Sequence, residues 1–259
     1  MRISWRRVNC RTGACRLIQP LTKNYYMRKS ICVVLVLILC TPLVFSQKDN
    51  SLTSKEKKKG WVLLFDGKTT NGWTTPGGKP VSQAWEIKDG SLSVKKESKA
   101  GDIITVGEYS NFELSVDYKI EPGCNSGIKY FYTRYTNGGN LGMEYQIIDD
   151  QLGEDNKKDN HLCGSFYDVI PPVEAQKKVN APGQWNTIRI VAKDKKVEHW
   201  LNGKKILEFT RGSKEYMDAV ALSKFSKTVP AFGMVEKGHI LLQEHGGAVA
   251  FKNIKIITL

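Results

Sequence analysis

Apolar and polar residues alternate along most of the chain with a period of two. In "FELSVDYKI" (112–120), Phe112, Leu114, Val116, Tyr118 and Ile120 fall on one face and Glu113, Ser115, Asp117 and Lys119 on the other, as in a half-buried antiparallel strand. "WNTIRIVAKDKKVEHWLNGKKILEF" (185–209) predicts three strands joined by "KDKK" and by Asn202–Gly203, the latter a two-residue hairpin signal. Segments at 61–65, 84–94, 101–106, 126–133, 142–149, 238–244 and 248–257 predict further strands, and 214–225 is the one helical stretch. Many short strands with Gly, Asn and Pro turns predict an all-β fold: a two-sheet antiparallel β-sandwich of the jelly-roll kind. No internal repeat or mid-chain linker interrupts 60–259, which is expected to form one domain.

The N-terminus departs from this pattern. "MRKSICVVLVLILCTPLVFS" (27–46) has a basic start, an apolar run, and Val44 and Ser46 at the −3 and −1 positions of a cleavage site, so a secretory signal is expected there, preceded by an extension over 1–26. The apolar run is short for a membrane span, and the mature form is expected to have none. Residues 47–59 form a polar, Lys-rich leader with nothing to bury. The expected location is secreted or periplasmic.

Removing 1–46 changes the electrostatics. Its eight basic residues (Arg2, Arg6, Arg7, Arg11, Arg16, Lys23, Arg28, Lys29) have no acidic counterpart, so the net charge falls from +13 to +5. The remaining excess is scattered over loops and is not a basic stripe interleaved with aromatics, which argues against nucleic acid as a partner. Four of the six cysteines leave with the same segment, and Cys124 and Cys163 remain. Export permits a disulfide between them, but pairing requires close Cα atoms, so a bridge and two buried free thiols both stay open.

The candidate chemistry lies in "LGMEYQIIDD" (141–150), a predicted strand carrying Glu144, Gln146, Asp149 and Asp150. Carboxylates are depleted from strands and costly to bury. Period two puts Glu144 and Gln146 on one face, which suggests that this face lines a groove; a bulge after Gln146 would bring Asp149 onto it. "CNSGIKYFYTRY" (124–135) opens with the small or polar residues Asn125, Ser126 and Gly127, which let a ligand approach closely. Gln243 and His245 end another strand before the Gly246–Gly247 turn. Amide and imidazole beside a groove suit a polyhydroxylated ligand. Trp73, Trp85, Tyr130, Tyr132 and Tyr167 are candidates to stack on sugar rings, against burial in the core.

Taken together, "LFDGKTTNGW" (64–73), "NSGI" (125–128), "GMEYQIIDD" (142–150), "GSFYDVIPP" (164–172), "GQWNTIRI" (183–190), "HWLNGKKI" (199–206) and "ILLQEHGGAVAFKNIKI" (240–256) resemble the 3-keto-disaccharide hydrolase domain family over essentially all of 60–259. The resemblance implies a concanavalin-like jelly roll, secretion, and cleavage of glycosidic bonds in sugars oxidised at C3. The family's motif residues map to Asn125, Ser126, Glu144, Gln146, Asp149, Gln243 and His245.

A ketone at C3 acidifies the hydrogen on C2, so a base can remove it and the enolate can expel the C1 substituent. On this reading Glu144 is the base and His245 the acid or carbonyl polariser, with Asp149 assisting. Asn125, Ser126, Gln146, Gln243 and Tyr167 bind the sugar. The chemistry requires no cofactor. The oxygen-rich loop "IIDDQLGEDN" (147–156) leaves a divalent cation such as Ca²⁺ open, although it lacks a recognisable ligand spacing. Two rivals remain: displacement by a carboxylate pair formed by Glu144 and Asp149, and a non-catalytic carbohydrate-binding module.

Overall fold

The computed structural model describes residues 48–136, 139–227 and 229–259. The expected signal segment and the extension before it lie outside the described residues. In chain order the elements are α1 (Ser54–Lys59), β1 (Val62–Leu63), β2 (Trp73–Thr74), β3 (Glu86–Lys88), β4 (Ser91–Val94), β5 (Ile103–Thr105), β6 (Phe112–Ile120), β7 (Asn125–Tyr135), β8 (Gly139–Ile148), β9 (Asn186–Lys193), β10 (Lys196–Leu201), β11 (Lys204–Thr210), α2 (Lys214–Leu222), β12 (His239–Leu242) and β13 (Val249–Thr258). Short 3₁₀ turns occupy Asp159–His161 and Glu174–Gln176.

The strands form two antiparallel sheets. One runs β11-β10-β9-β6-β13-β4-β3, with β1 also paired to β13; the other runs β2-β5-β12-β7-β8. The alternation over 112–120 becomes β6 without a break, every second residue buried. Its inner face, from Phe112 to Ile120, shares one core with Ile128, Tyr130, Met143, Tyr145 and Ile147 of the five-stranded sheet. This is a jelly-roll sandwich: two half-apolar sheets close on each other and leave their outer faces free. The Asn202–Gly203 signal makes the β10–β11 turn, with positive φ at both residues, as a type I′ hairpin requires.

The polar leader differs from expectation in one respect. α1 buries no residue, yet the segment is pinned to the large sheet by hydrogen bonds. Asn50 and Asn253 exchange side-chain and backbone bonds at 2.6 and 2.9 Å, Lys252 pairs with Asp49 at 2.8 Å, and Lys255 pairs with Glu56. Hydrogen bonding docks it in place of apolar burial. Among the described residues, no helix is long and apolar enough to cross a membrane.

Candidate functional site

Strand parity builds the site on the outer face of the five-stranded sheet. In β8, Met143, Tyr145 and Ile147 point into the core, which sends Glu144 and Gln146 to the opposite face. β7 is antiparallel to it, with Lys129 opposite Glu144, Gly127 opposite Gln146 and Asn125 opposite Ile148. Asn125, Gly127 and Lys129 therefore share the face of the two β8 polar residues. β12 runs along the other side of β7 and delivers Gln243 and His245 from its C-terminal end.

These side chains converge on one cleft of about 330 Å³, lined by Asn125, Lys129, Glu144, Gln146, Gln243 and His245, together with Asp102, Asp155, Tyr167, Lys224 and Glu244. It opens into a wider depression of about 680 Å³ that shares Asn125, Asp155, Tyr167 and His245. A depression of about 530 Å³ on the other sheet, lined by residues such as Glu86, Lys95 and Lys119, gathers none of the expected residues.

Glu144 sits at the floor, 8% exposed. Burial pushes its carboxyl above the ordinary range, and the positive charges of Lys129, Lys224 and His245 pull it back only in part. Lys129 Nζ stands 3.5 Å from Glu144 Oε2. The Gln146 amide is best satisfied with its nitrogen donating to Glu144 Oε1 at 2.9 Å and to the Ser126 carbonyl at 3.2 Å, an orientation set by the hydrogen-bond network. Gln243 Oε1 is buried and without a hydrogen-bond partner in the cleft wall. A buried acceptor left unpaired is costly, and a ligand hydroxyl would satisfy it. A second carboxyl in the cleft, Asp102, is likewise raised by burial, although the Glu244 N–H donates to it at 2.9 Å. His245 is exposed at the mouth.

The wall opposite β12 is held by a polar network. Tyr167 donates to Asp155 Oδ2 at 2.6 Å, and its backbone N–H bonds the Glu144 carbonyl at 3.1 Å. Both ring nitrogens of His161 face carboxylates at 2.8 Å, Asp155 on one side and Asp168 on the other. Asp168 also accepts the Lys224 backbone N–H at 2.7 Å, and Lys224 Nζ lies 4.3 Å above the Tyr167 ring.

Of the residues expected in the site, Asn125, Glu144, Gln146, Tyr167, Gln243 and His245 meet in the cleft, and Ser126 and Asp149 do not. Ser126 has the parity of Ile128 and Tyr130, is fully buried, and donates to the Gln243 carbonyl at 2.8 Å; it fastens β7 to the segment after β12. The β7–β8 register stays regular from Gly127 to Asn125, without the bulge after Gln146 that would bring Asp149 onto this face. Asp149 therefore keeps its own parity and caps a turn, accepting the N–H groups of Gly123, Gln151 and Leu152 at 2.9, 3.0 and 3.2 Å. Burial raises its carboxyl, but these donors outweigh that and hold it below the usual range. A Glu144–Asp149 pair flanking a sugar is not formed.

Trp73, Trp85, Tyr130 and Tyr132 are buried, which leaves Tyr167 as the cleft aromatic among those candidates. Cys124 and Cys163 are buried free thiols, so the bridge left open by the sequence is absent. The aspartate carboxylates of the 147–156 loop turn to different partners, and its Asp150 and Gln151 carbonyls both accept from Asn156 Nδ2. Asp149 caps its turn, Asp150 takes the Cys163 N–H at 2.7 Å and Lys177 at 2.8 Å, and Asp155 bonds His161 and Tyr167. This donor set does not fit Ca²⁺, which takes six to eight convergent oxygens.

The sequence reading missed Lys129, Asp102, Asp155, Lys224 and Glu244. Lys129 had a signal, since period two from Asn125 passes through Gly127 to Lys129. The other four lie outside the strands and carried none.

Residues 60–257 match the model of the 3-keto-alpha-glucoside-1,2-lyase-like domain. The chain belongs to this family. A 3-keto-disaccharide hydrolase from Bacteroides thetaiotaomicron is 32% identical over 233 residues, which span 77% of this chain and 79% of that one. A crystal structure of a candidate glycosyl hydrolase from Parabacteroides distasonis superposes on the lyase-like domain with a TM-score of 0.73 at 36% identity, covering 82% of this chain and all of that one. A second candidate glycosyl hydrolase from the same organism gives 0.58 at 31% identity, covering 77% and 99%.

Proposed function

We propose that this glycosidase-type enzyme hydrolyses glycosidic bonds of 3-keto-glycosides, including disaccharides, by removing the C2 proton, eliminating the C1 substituent and hydrating the product. The observation that carries this reading is Glu144: a buried carboxyl with a raised pKa, set among amides and next to a cation at the floor of a polar cleft. Burial gives a carboxylate the basicity that removing a carbon-bound proton demands.

Glu144 takes the proton from C2, and the electrons left behind form the enolate of the C3 ketone. As the enolate collapses the C1–O bond breaks, and the leaving oxygen takes a proton from His245 at the cleft mouth. Water then adds across the new C1–C2 double bond, hydroxyl to C1 and proton to C2, so that the net reaction is hydrolysis. Asn125 and Gln243 hold ring hydroxyls, and Gln146 orients the Glu144 carboxylate. The family description as 1,2-lyase-like and the relative named a 3-keto-disaccharide hydrolase support this reading. The expected signal at 27–46 places the reaction outside the cytoplasm in the same proposal.

The test compares a 3-keto-glucoside with its unoxidised parent in deuterated water. Release of the leaving group from the oxidised sugar alone, with deuterium entering C2, is expected. Equal rates on both sugars would overturn elimination in favour of direct displacement, for which Asp102 would be the second carboxylate. Binding without turnover of either would indicate a carbohydrate-binding module.

A further inference from the structure

Removing the C2 proton generates negative charge on the C3 oxygen, and the elimination read above needs a positive group there. His245 is exposed at the mouth and Lys224 is engaged over the Tyr167 ring; the charges of both reach Glu144, but its ion-pair partner is Lys129. It projects from β7 directly opposite Glu144, with its Nζ 3.5 Å from Oε2, and its side chain is 21% exposed. Asp102 is the other carboxylate in the cleft that the Lys129 charge reaches. Gly127, the next residue of β7 on the same face, has no side chain, and the Glu144 carboxylate lies over it.

The hydrogen on C2 and the oxygen on C3 belong to neighbouring carbons. A carboxylate and an ammonium at contact distance therefore match the two ends of one H–C2–C3=O unit. We propose that Lys129 binds the C3 carbonyl oxygen and stabilises the enolate, and that it is the residue by which the cleft distinguishes an oxidised sugar from its parent alcohol. This assignment rests on the elimination reading and leaves His245 free to act as the acid on the leaving oxygen. No covalent bond forms: as charge moves from Glu144 through C2 to the C3 oxygen, the ammonium shifts its contact from Oε2 to that oxygen. A preorganised charge at a developing oxyanion is typically worth about 10²- to 10³-fold in rate.

The experiment uses Lys129→Met and Lys129→Arg in the full chain, with thermal melting to confirm folding. Lys129→Met is expected to lose about 10²- to 10³-fold in turnover of a 3-keto-glucoside and to lose C2 deuterium exchange in parallel, while Lys129→Arg retains part of both. In a Glu144→Gln background, calorimetry is expected to show Lys129→Met lowering affinity for the 3-keto-glucoside towards that of the parent glucoside, whose own affinity stays unchanged. Wild-type turnover in Lys129→Met, or an equal loss of affinity for both sugars, overturns the assignment. Borohydride trapping of a substrate adduct in wild type but not in Lys129→Met overturns it in favour of an imine. Failure of the elimination reading is distinguishable, because the wild type itself would then show no C2 exchange.

Discussion

Gly127 lies diagonal to Glu144 across the β7–β8 ladder, so close that a Cβ built on the glycine would stand 2.6 Å from Glu144 Oε1. The missing side chain is what lets the carboxylate lie flat against the sheet. The atom in the way is the tip of a flexible side chain, so the fold can absorb Gly127→Ala while the carboxylate cannot stay in place. Small misplacements of a catalytic group cost about 10²-fold in rate. Gly127→Ala is expected to fall by that order in kcat with a melting temperature close to wild type. A variant that keeps full activity would show that the position of Glu144 does not matter.

The raised pKa of Glu144 sets a pH dependence. A base must be ionised to act, so kcat/KM for a 3-keto-glycoside is expected to fall with acidification along a limb lying above the ordinary glutamate range. Lys129 holds that pKa down, so in Lys129→Met the limb of the residual activity should move to higher pH. Glu144→Gln removes the base at nearly constant volume and is expected to lose about 10²- to 10⁴-fold while still binding sugar. An acid limb at ordinary carboxylate pH, persisting in the Gln variant, would place the base elsewhere.

Asp149 is expected to separate stability from chemistry. Its two oxygens serve three backbone N–H groups, those of Gln151 and Leu152 in the turn after β8 and that of Gly123 in the β6–β7 connection, a role comparable to a helix cap. Loss of such a cap costs about 0.5–2 kcal/mol. Asp149→Ala should therefore lower the denaturation midpoint and change kcat much less than Glu144→Gln does. Its depressed pKa gives stability that is present above the unfolded value and lost as pH falls through the folded one. The variant's deficit should accordingly shrink in acid. Comparable kinetic damage in the two variants would return Asp149 to the active site.

The fold was legible because the information that specifies it is local. Residues 112–120 alternate without exception, and Asn202–Gly203 is a turn signal read from two positions. The floor of the site was legible for the same reason: Glu144 and Gln146 violate what a strand ordinarily carries, and parity puts them together. Parity also separates Ser126 from Asn125, although the two are neighbours in one motif. What local pattern could not supply was the loop wall. Asp155, Tyr167 and Lys224 come from distant segments joined through His161 and Asp168, and nothing in their spacing encodes that meeting. Only a bulge after Gln146 would have recruited Asp149, and the register stays regular there.

The two cysteines are expected to be silent in the native protein. Burial pushes the Cys124 thiol up to about 12 and the Cys163 thiol up to about 11, and Cys163 Sγ lies 3.2 Å from the Tyr118 hydroxyl. A thiol reacts as its thiolate, so neither should titrate at neutral pH in the folded state. Protein beginning after residue 46 should show two thiols once unfolded without reductant, and reductant should leave its melting temperature unchanged. Absence of free thiol in that assay would restore the disulfide.

His161 offers a test of the loop wall. Its ring fills the gap between Asp155 and Asp168, which are both held below the usual carboxylate range: burial raises each, and hydrogen bonds, from Tyr167 and His161 to Asp155 and from His161 and the Lys224 N–H to Asp168, outweigh it. His161→Ala leaves both carboxylates without that partner, and Asp168 is almost fully buried. An unsatisfied buried polar group costs roughly 1–3 kcal/mol. The stability these acids contribute is present above their unfolded pKa and disappears as pH falls through the folded values, so the loss should be largest near neutral pH and shrink in acid. The kinetic effect should appear in KM more than in kcat, because Asp155 orients Tyr167 and Asp168 anchors Lys224 at the wall, whereas Glu144 and Lys129 sit on the sheet. A His161→Ala enzyme with unchanged KM and unchanged stability would show that the wall is held by the rest of the loop.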